Sequence, residues 1–408
     1  MPHPSTSSRT PAPPARTARR RSAPLALACA LALACALAVG GTLASGPASA
    51  ATDGDRPPTA ALPAPTGPAP VGTTDLHLVD TDREDPWFGG DREIMVTLWY
   101  PARTDTGRPA PYLTEAESAA ILAQSGFDHL PADTLTRVRT HSVADAPPAR
   151  TDDGLPLVVL SPGAGVSRTW MSSLGEDLAS HGFAVAGIDH RHEAAPVEFP
   201  DGLVERCGAC ATERWEDGAV NRADDVTLLL DALEDGGAWR WSALVATDRT
   251  GMVGHSWGGA ATAQTLVTEE RVDAGLNLDG PYYPAQLEEE IDKPLALLAN
   301  GQGQSWEGWE ERWAGLTGWR QWIRVTDSGH STALDRGVLM ERLGLRDTLT
   351  PEQWRAQFGD LPVEHGVNLV RTYAAAYFDH HLRGGEQPLL DDPGSVHPEL
   401  VVVDPEAG

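Results

Sequence analysis

Lysine is almost absent from this sequence, which has 408 residues and a single lysine, Lys293. The chain has 31 basic against 58 acidic side chains and a formal charge of −27 at pH 7. Nucleic-acid binding depends on clustered lysine and arginine, because these neutralise the backbone phosphates. Docking on anionic lipid has the same requirement. The composition therefore excludes nucleic acid as a partner and argues against electrostatic docking on a membrane.

Long apolar runs are also missing, with one exception near the N-terminus. Residues 25–39 form an unbroken apolar stretch that follows five arginines, and Ala48-Ser49-Ala50 supplies small residues after it. A membrane-spanning helix needs about 20 apolar residues, more than this stretch provides. A positive segment, a short apolar segment and a small-residue cleavage site are typical of a secretory signal peptide. We predict a signal peptide over residues 1–50, cleavage after Ala50, a secreted protein and no stable membrane anchor.

Cysteine is scarce as well. Besides Cys29 and Cys35 in the predicted signal peptide, the chain contains Cys207 and Cys210, spaced C-x-x-C. A structural zinc site takes four ligands, so these two cysteines are too few to form one. Because the oxidising exterior favours disulfides, we predict one between Cys207 and Cys210.

The remaining chain divides into a linker and one α/β domain. Residues 51–74 are rich in proline, alanine and threonine and show no periodicity, which predicts a disordered linker. From Leu155 onward, short apolar strands alternate with helices. This alternation predicts a mostly parallel, doubly wound sheet with helices on both faces, over residues 75–408. Residues 191–218 and 335–365 are long for connections and are candidates for lid-like or substrate-binding insertions.

The most specific motif is Gly254-His255-Ser256-Trp257-Gly258, which matches G-x-S-x-G between a predicted strand and a predicted helix. Such a turn is so tight that its flanking residues must be small, and it lifts the serine hydroxyl clear of the sheet. We therefore predict that Ser256 is a nucleophile on a strand-to-helix elbow, the arrangement of α/β-hydrolases.

A serine hydroxyl needs a base, and the base needs an acid that holds its tautomer. In this fold the base follows the last strand, where His330 lies, and the alternatives are His365, His380 and His381. His255 adjoins the nucleophile, but elbow geometry is expected to point its ring away. The usual acid position, after residues 295–299, contains no carboxylate. Asp279 ends the preceding strand and is the predicted acid, with Glu307 as the alternative.

The oxyanion that forms on attack needs donors already aimed at it. We predict the backbone N–H groups of Trp257 and of Ala164, which lies in the loop after residues 157–160. Gly163 and Gly165 in that loop suggest a dinucleotide motif, but its third glycine is absent, so no cofactor is expected. Asp189 and His190 would not converge on a metal from a strand end, and a structural hydrogen-bonding role is expected for both.

Three tryptophans, Trp306, Trp309 and Trp313, fall at helical spacing in a predicted helix over residues 306–313. This spacing is typical of a packed core helix. The alternative is an apolar wall beside an acyl pocket or a lipid-facing patch.

The motifs together resemble the secreted platelet-activating-factor acetylhydrolases and their bacterial relatives. The resemblance covers roughly residues 91–384. It implies an α/β-hydrolase fold, Ser256, Asp279 and His330 as a triad, Ala164 and Trp257 as oxyanion donors, and no metal. The matching stretches are Val96-Thr97-Leu98-Trp99-Tyr100-Pro101, Ser161-Pro162-Gly163-Ala164-Gly165 with Arg168-Thr169, Asp189-His190-Arg191, Gly254-His255-Ser256-Trp257-Gly258-Gly259, Leu278-Asp279 and Gly329-His330.

The sequence therefore predicts an exported serine ester hydrolase that acts on a small ester or a lipid. A short acyl chain is implied only by the resemblance. A cutinase-like or polyester-cleaving esterase, or a lipase, is the alternative enzyme. A non-catalytic binding protein with the same fold is the alternative of a different class, and an intact serine, histidine and acid argue against it.

We expect the secreted protein to begin at Ala51 and to contain the Cys207–Cys210 disulfide, because export brings the chain into an oxidising environment. Intact-mass analysis of the alkylated, non-reduced protein measures both features together. Two alkylated thiols would contradict the disulfide, and an uncleaved N-terminus would contradict the signal peptide.

Overall fold

The structure is a computed structural model, and it describes residues 59–303, 306 and 308–405. These residues form a central β-sheet of ten strands. The strand order is β12-β11-β10-β9-β8-β4-β5-β2-β1-β3. The six strands from β11 to β5 are parallel to their neighbours, whereas β12, β2 and β1 join antiparallel. The strands of this sheet are β1 Val71–Glu84, β2 Asp91–Pro101, β3 Ser142–Ala144, β4 Leu155–Ser161, β5 Ala184–His190, β8 Val245–His255, β9 Val272–Leu278, β10 Leu295–Ala299, β11 Arg320–Val325 and β12 Leu400–Val402, and a separate hairpin is formed by β6 Val197–Glu198 and β7 Val204–Glu205.

Helices follow most of the parallel strands, as the alternating sequence pattern predicted. The helices are α1 Glu115–Gln124, α2 Ser172–Ser180, α3 Trp215–Glu234, α4 Trp257–Thr268, α5 Pro284–Leu287, α6 Trp309–Ala314, α7 Asp335–Arg342, α8 Pro351–Phe358, α9 Val363–Arg383, α10 Pro388–Asp391 and α11 Pro393–Val396. In the described part of the chain, no helix is long and apolar enough to cross a membrane.

The core consists of two apolar layers, one on each face of the sheet. Along β4, Leu157 and Val159 point into one layer, while Val158 and Leu160 point into the other, because side chains alternate along a strand. Helices α3 and α4 cover the first layer, and α2 and α9 cover the second. A strand that is buried on both faces has a continuous apolar sequence, as β4 does. The predicted doubly wound α/β fold is confirmed.

Part of the predicted linker is ordered, which corrects the boundary at residue 74. Ala60 and Leu62 are 3% and 1% exposed, and Leu62 N–H donates to the carbonyl oxygen of Arg139 at 2.9 Å. β1 already begins at Val71. This segment lacks periodicity because it is an extended stretch held by bonds to distant parts of the chain. The predicted signal peptide lies outside the described residues.

The two predicted insertions have different surroundings. Residues 191–218 contain the β6–β7 hairpin and the two cysteines, and they lie beside the loop that follows β4. Residues 335–365 contain α7 and α8, whose side chains Val338, Leu339 and Trp354 form a third apolar cluster with Leu62 and α1.

Helix α2 approaches the sheet closely at Gly175, where a Cβ would lie 2.6 Å from Trp99 Cε3. We expect Gly175→Ala to lower the free energy of unfolding by about 1–3 kcal/mol, because the indole ring has to move within a packed core. Urea unfolding monitored by circular dichroism measures this. Gly237→Ala is the matched control, since a Cβ there meets nothing within 4 Å. Equal stability of the two variants would contradict the prediction.

Candidate active site

Ser256, the predicted nucleophile, lies in the turn between β8 and α4. Its backbone dihedrals are φ 54° and ψ −118°, a combination that is costly for a residue with a side chain. A Cβ on Gly254 would lie 1.8 Å from the carbonyl oxygen of Gly258, and one on Gly258 would lie 1.9 Å from that of Ser161. The turn therefore has the strand–turn–helix geometry of a nucleophile elbow, and glycine is required on both sides of it.

His330 and Asp279, the predicted base and acid, are hydrogen-bonded to each other. Asp279 directly follows β9, and His330 lies in the loop after β11. His330 Nδ1 donates to Asp279 Oδ2 at 2.6 Å, and the Asp279 side chain is only 6% exposed. A carboxylate at Nδ1 fixes the tautomer, which leaves Nε2 as the ring nitrogen that can accept a proton.

Asn300 is a residue of this site that the sequence analysis did not identify. It directly follows β10, which is the usual position of the acid in this fold. Its backbone N–H donates to Asp279 Oδ1 at 3.0 Å, and its Nδ2 donates to Asp279 Oδ2 at 2.8 Å. With His330, the carboxylate thus accepts three hydrogen bonds, which fix its position beside the histidine ring. The sequence feature that could have identified Asn300 is its polar side chain at the usual position of the acid.

His255, the residue before Ser256, connects the elbow to the His330 loop. Its Nε2–H donates to the carbonyl oxygen of His330 at 2.8 Å, and the two ring centroids are 4.8 Å apart. Burial, together with the nearby His330, lowers the pKa of His255 to about 3, so its ring is neutral. A neutral ring can lie against His330 without repelling a proton on it. His255 is therefore a buried support for the His330 loop.

The loop after β4 lies against the elbow, as the predicted oxyanion role requires. A Cβ on Gly163 would lie 3.1 Å from Ser256 Cβ. Within the described residues, no protein acceptor contacts the backbone N–H of Ala164 or of Trp257, the first residue of α4. For Trp257 this is expected, since the first N–H groups of a helix have no partner within it. Both N–H groups are thus free to bond a ligand.

Aromatic side chains pack against Ala164 and Trp257, the two predicted oxyanion residues. The Trp257 ring lies edge-on to Trp215 and Trp87, with centroids 5.0 and 6.4 Å apart. Tyr283 and Ala164 pack into the same cluster, which is separate from the two core layers. We call Trp87, Trp215, Trp257 and Tyr283 the aromatic wall.

Cys207 and Cys210 are joined by a disulfide bond in the structure. It lies against the loop that contains Ala164, because a Cβ on Gly165 would be 3.6 Å from Cys207 Cβ and from Cys210 Sγ. The sequence predicted the pairing but not this location beside the candidate active site.

The alternative bases have contacts elsewhere. His365 Nε2 contacts Glu399 at 2.9 Å, and His380 Nδ1 contacts the carbonyl oxygen of Gly385 at 2.8 Å. His381 packs against Trp319 with ring centroids 4.7 Å apart. The alternative acid, Glu307, lies outside the described residues.

Asp189 and His190 have the hydrogen-bonding roles expected of them. Asp189 accepts from the backbone N–H of Arg168 at 2.6 Å, and His190 Nδ1 donates to Asp225 at 2.7 Å. Among the described residues, no group of three metal-ligating side chains could hold an ion.

The predicted tryptophan helix is shorter than expected, which corrects that prediction. Gly308 has φ 91° and α6 begins after it, so Trp306 lies outside the helix. Trp309 is a core residue, 2% exposed and 5.4 Å from Trp322 between ring centroids. Trp306 instead lies near the site, with its ring centroid 5.7 Å from that of His330.

Comparisons with known proteins agree with this geometry. A sequence model of the family "Platelet-activating factor acetylhydrolase, isoform II" matches residues 56–201. A probable 1-alkyl-2-acetylglycerophosphocholine esterase of Arthroderma benhamiae is 27% identical over 85% of this chain and 95% of its own length. The chain is thus similar to platelet-activating factor acetylhydrolases, and it has an α/β-hydrolase fold. The resemblance noted from the sequence is thereby confirmed.

Another acetylhydrolase and a solved esterase extend the comparison. The platelet-activating factor acetylhydrolase of Canis lupus familiaris is 30% identical over 58% of this chain and 59% of its own length. The structure of a ferulic acid esterase from Streptomyces cinnamoneus matches with a TM-score of 0.76 and 42% identity, over 85% of this chain and 100% of that one. The protein is therefore a carboxylic ester hydrolase of the serine type.

Asp279→Asn tests the predicted acid. We expect kcat to fall by about 10³–10⁴, because an amide can present the wrong donor to the histidine ring. The amide also meets Asn300, whose groups are both donors to this position. Steady-state hydrolysis of p-nitrophenyl acetate measures the loss, with circular dichroism as the check on folding.

Glu307→Gln is the control for that experiment and should lower kcat less than about tenfold, because Asp279 already supplies the carboxylate at His330. If the two variants exchanged these results, the acid would be Glu307.

Proposed function

We propose that this protein hydrolyses carboxylic esters through an acyl-enzyme formed on Ser256. His330 Nε2 removes the hydroxyl proton as Ser256 attacks the ester carbonyl, and Asp279 stabilises the imidazolium through Nδ1. The alcohol leaves with the proton from His330. Water, deprotonated by the same ring, then releases the acid and restores Ser256.

The negative charge that forms on the carbonyl oxygen is stabilised by the backbone N–H groups of Ala164 and Trp257. These two donors are effective because the fold fixes their positions before the reaction. Donors that need no reorganisation lower the activation barrier most. Neither a metal nor a cofactor has a role in these steps.

The single observation that carries this proposal is the 2.6 Å bond between His330 Nδ1 and Asp279. It occurs with a serine of φ 54° whose N–H donates to the carbonyl oxygen of Leu278, the residue before Asp279, at 2.9 Å. A strained backbone and a buried carboxylate both cost stability, and a protein that only binds has no need of either. Their occurrence together favours an enzyme over a non-catalytic binding protein of the same fold.

For the substrate, we propose first a short acyl ester of the kind that the relatives' names describe, such as the acetyl ester of an alkylglycerophosphocholine. The acidic composition is compatible with a zwitterionic or neutral substrate and not with docking on anionic lipid.

A second candidate is an ester of an aromatic acid. The observation that favours it is the aromatic wall beside the oxyanion donors, together with 42% identity to a ferulic acid esterase over that whole chain. A planar aromatic group gains from offset or edge-on contacts with such side chains.

We also propose that the protein is exported. The support is the arginine-led apolar segment of residues 25–39 and the small residues before Ala51. The disulfide is compatible with an oxidising compartment.

Ser256→Ala tests the proposal as a whole. We expect a folded protein whose kcat is lower by about 10⁴–10⁶, and no labelling by a fluorophosphonate probe that labels the wild type. Activity within tenfold of the wild type would contradict the mechanism.

The substrate is decided by a panel run on the wild type: p-nitrophenyl esters from acetate to palmitate, 1-alkyl-2-acetylglycerophosphocholine and methyl ferulate. The highest kcat/KM on the acetyl lipid supports the first candidate. The highest value on methyl ferulate supports the second, and a preference for long chains contradicts both.

A further inference from the structure

A cluster of buried ionisable side chains lies next to the oxyanion loop, residues 162–165. All of its members are at most 1% exposed and each contacts at least one other; they are Asp85, Arg92, His190, Glu193, Arg222 and Asp225. Burying so many charges is expensive, and an apolar replacement of similar volume is often at least as stable. The cluster therefore calls for a role beyond stability.

One ion pair of this cluster is attached to both ends of the oxyanion loop. Arg222 Nε donates to Glu193 Oε2 at 2.7 Å, and Arg222 Nη1 donates to the carbonyl oxygen of Pro162. The backbone carbonyl of Glu193 accepts from the N–H of Gly165 at 2.9 Å. Ala164, the proposed donor, lies between these two attachments.

The same arginine contacts the residue that supplies the second donor. The Arg222 guanidinium carbon lies 4.3 Å from the centre of the Trp257 ring. That ring is held on its other side as well, since Trp257 Nε1 donates to the carbonyl oxygen of Trp215 at 2.6 Å. A Cβ on Gly218 would lie 1.8 Å from Trp257 Cζ2, which leaves the ring no room to move toward α3.

The rest of the cluster holds this ion pair in place. Arg92 pairs with Asp225 at 2.6 Å and with Asp85 at 2.7 Å, and its contact with Glu193 is longer, at 3.3 Å. Glu193 is thus the close carboxylate partner of Arg222. His190 Nε2 contacts Ser161 Oγ at 2.9 Å, directly before the oxyanion loop.

We propose that Arg222 is a positioning residue for ester hydrolysis, which holds the Ala164 and Trp257 N–H donors at a fixed separation, while Glu193 fixes its guanidinium. The inference rests on the proposed function, because it assigns these two N–H groups to the oxyanion. Planarity is what the role requires: one guanidinium bonds a carboxylate and a carbonyl in its plane and lies against an indole ring.

Arg222→Lys tests the inference, since lysine keeps the charge but lacks the planar fork. We expect kcat on p-nitrophenyl acetate to fall about 10- to 100-fold, as for a displacement of about 1 Å at a reacting centre. KM should stay within about threefold of the wild type, because the donors act in the transition state.

The affinity for a trifluoromethyl ketone inhibitor separates the two possible roles of Arg222. It would not change if Arg222 only stabilised the fold. Ser256 adds to this ketone and its oxygen becomes an oxyanion. The Ki in Arg222→Lys should therefore rise by the same factor by which kcat/KM falls. A kcat within twofold of the wild type, or a fall in kcat with Ki unchanged, would overturn the inference.

Arg371→Lys is the matched control, because Arg371 is 1% exposed and pairs with Asp177 on α2, away from the oxyanion loop. It should lower the melting temperature and leave kcat and Ki unchanged. If it lowered kcat as much as Arg222→Lys does, the loss would reflect general destabilisation and the inference would be wrong.

Glu193→Gln is a second variant of unchanged side-chain size, for use if Arg222→Lys does not fold. It removes the charge partner of Arg222 and should shift kcat and Ki in the same direction; unchanged values would overturn the inference. A wild type that neither hydrolyses esters nor reacts with a fluorophosphonate would instead contradict the proposed function.

Discussion

The close approach of backbone from three neighbouring strands, at the turn that contains Ser256, is the constraint on which the site depends. Gly258 allows α4 to begin against the end of β4, since a Cβ there would lie 1.9 Å from the carbonyl oxygen of Ser161. Gly280 does the same on the other side, where a Cβ would lie 2.2 Å from the carbonyl oxygen of Ser256. Because no side chain separates these strand ends, the loop after β4, the elbow and Asp279 meet within a few ångströms. The strained serine is stable only within this packing.

This proximity explains how the acid can come from β9 instead of from the strand after it. Asp279 has φ 56°, which turns its side chain across the end of β10 toward His330. Asn300 then occupies the place of the usual acid and donates to the carboxylate. The carboxylate thus follows β9 and its donor follows β10, and the carboxylate lies 2.6 Å from His330 Nδ1. Asp279, Asn300 and His330 are expected to depend on one another, because a buried carboxylate that loses a hydrogen-bond donor costs stability.

Four arginines of this acidic protein lie buried inside the fold. Arg92, Arg222, Arg312 and Arg371 are among its largest fully buried side chains. Each bonds carboxylates or carbonyl oxygens that connect distant parts of the chain, as when Arg371 contacts both Asp177 and the carbonyl oxygen of Ala64. Arginine suits this task better than lysine because its planar fork bonds several oxygens at once. These four buried arginines therefore have a structural role in the fold.

The sequence by itself determined the fold class, because strand and helix periodicity is local. It also determined the elbow, because glycine occurs two residues before and two residues after Ser256, where no side chain fits. It also predicted the Asp279–His330 pair, since each follows a recognisable strand. Only the tertiary structure decided three features: the role of Asn300, the ordered conformation of residues 59–74, and the attachment of Arg222 to the oxyanion loop. Each of these depends on contacts between residues far apart in the chain, such as Arg222 with Pro162 and Leu62 with Arg139. No local pattern reports such contacts, because a buried charge or an extended segment acquires its partner only when the sheet and its helices have packed.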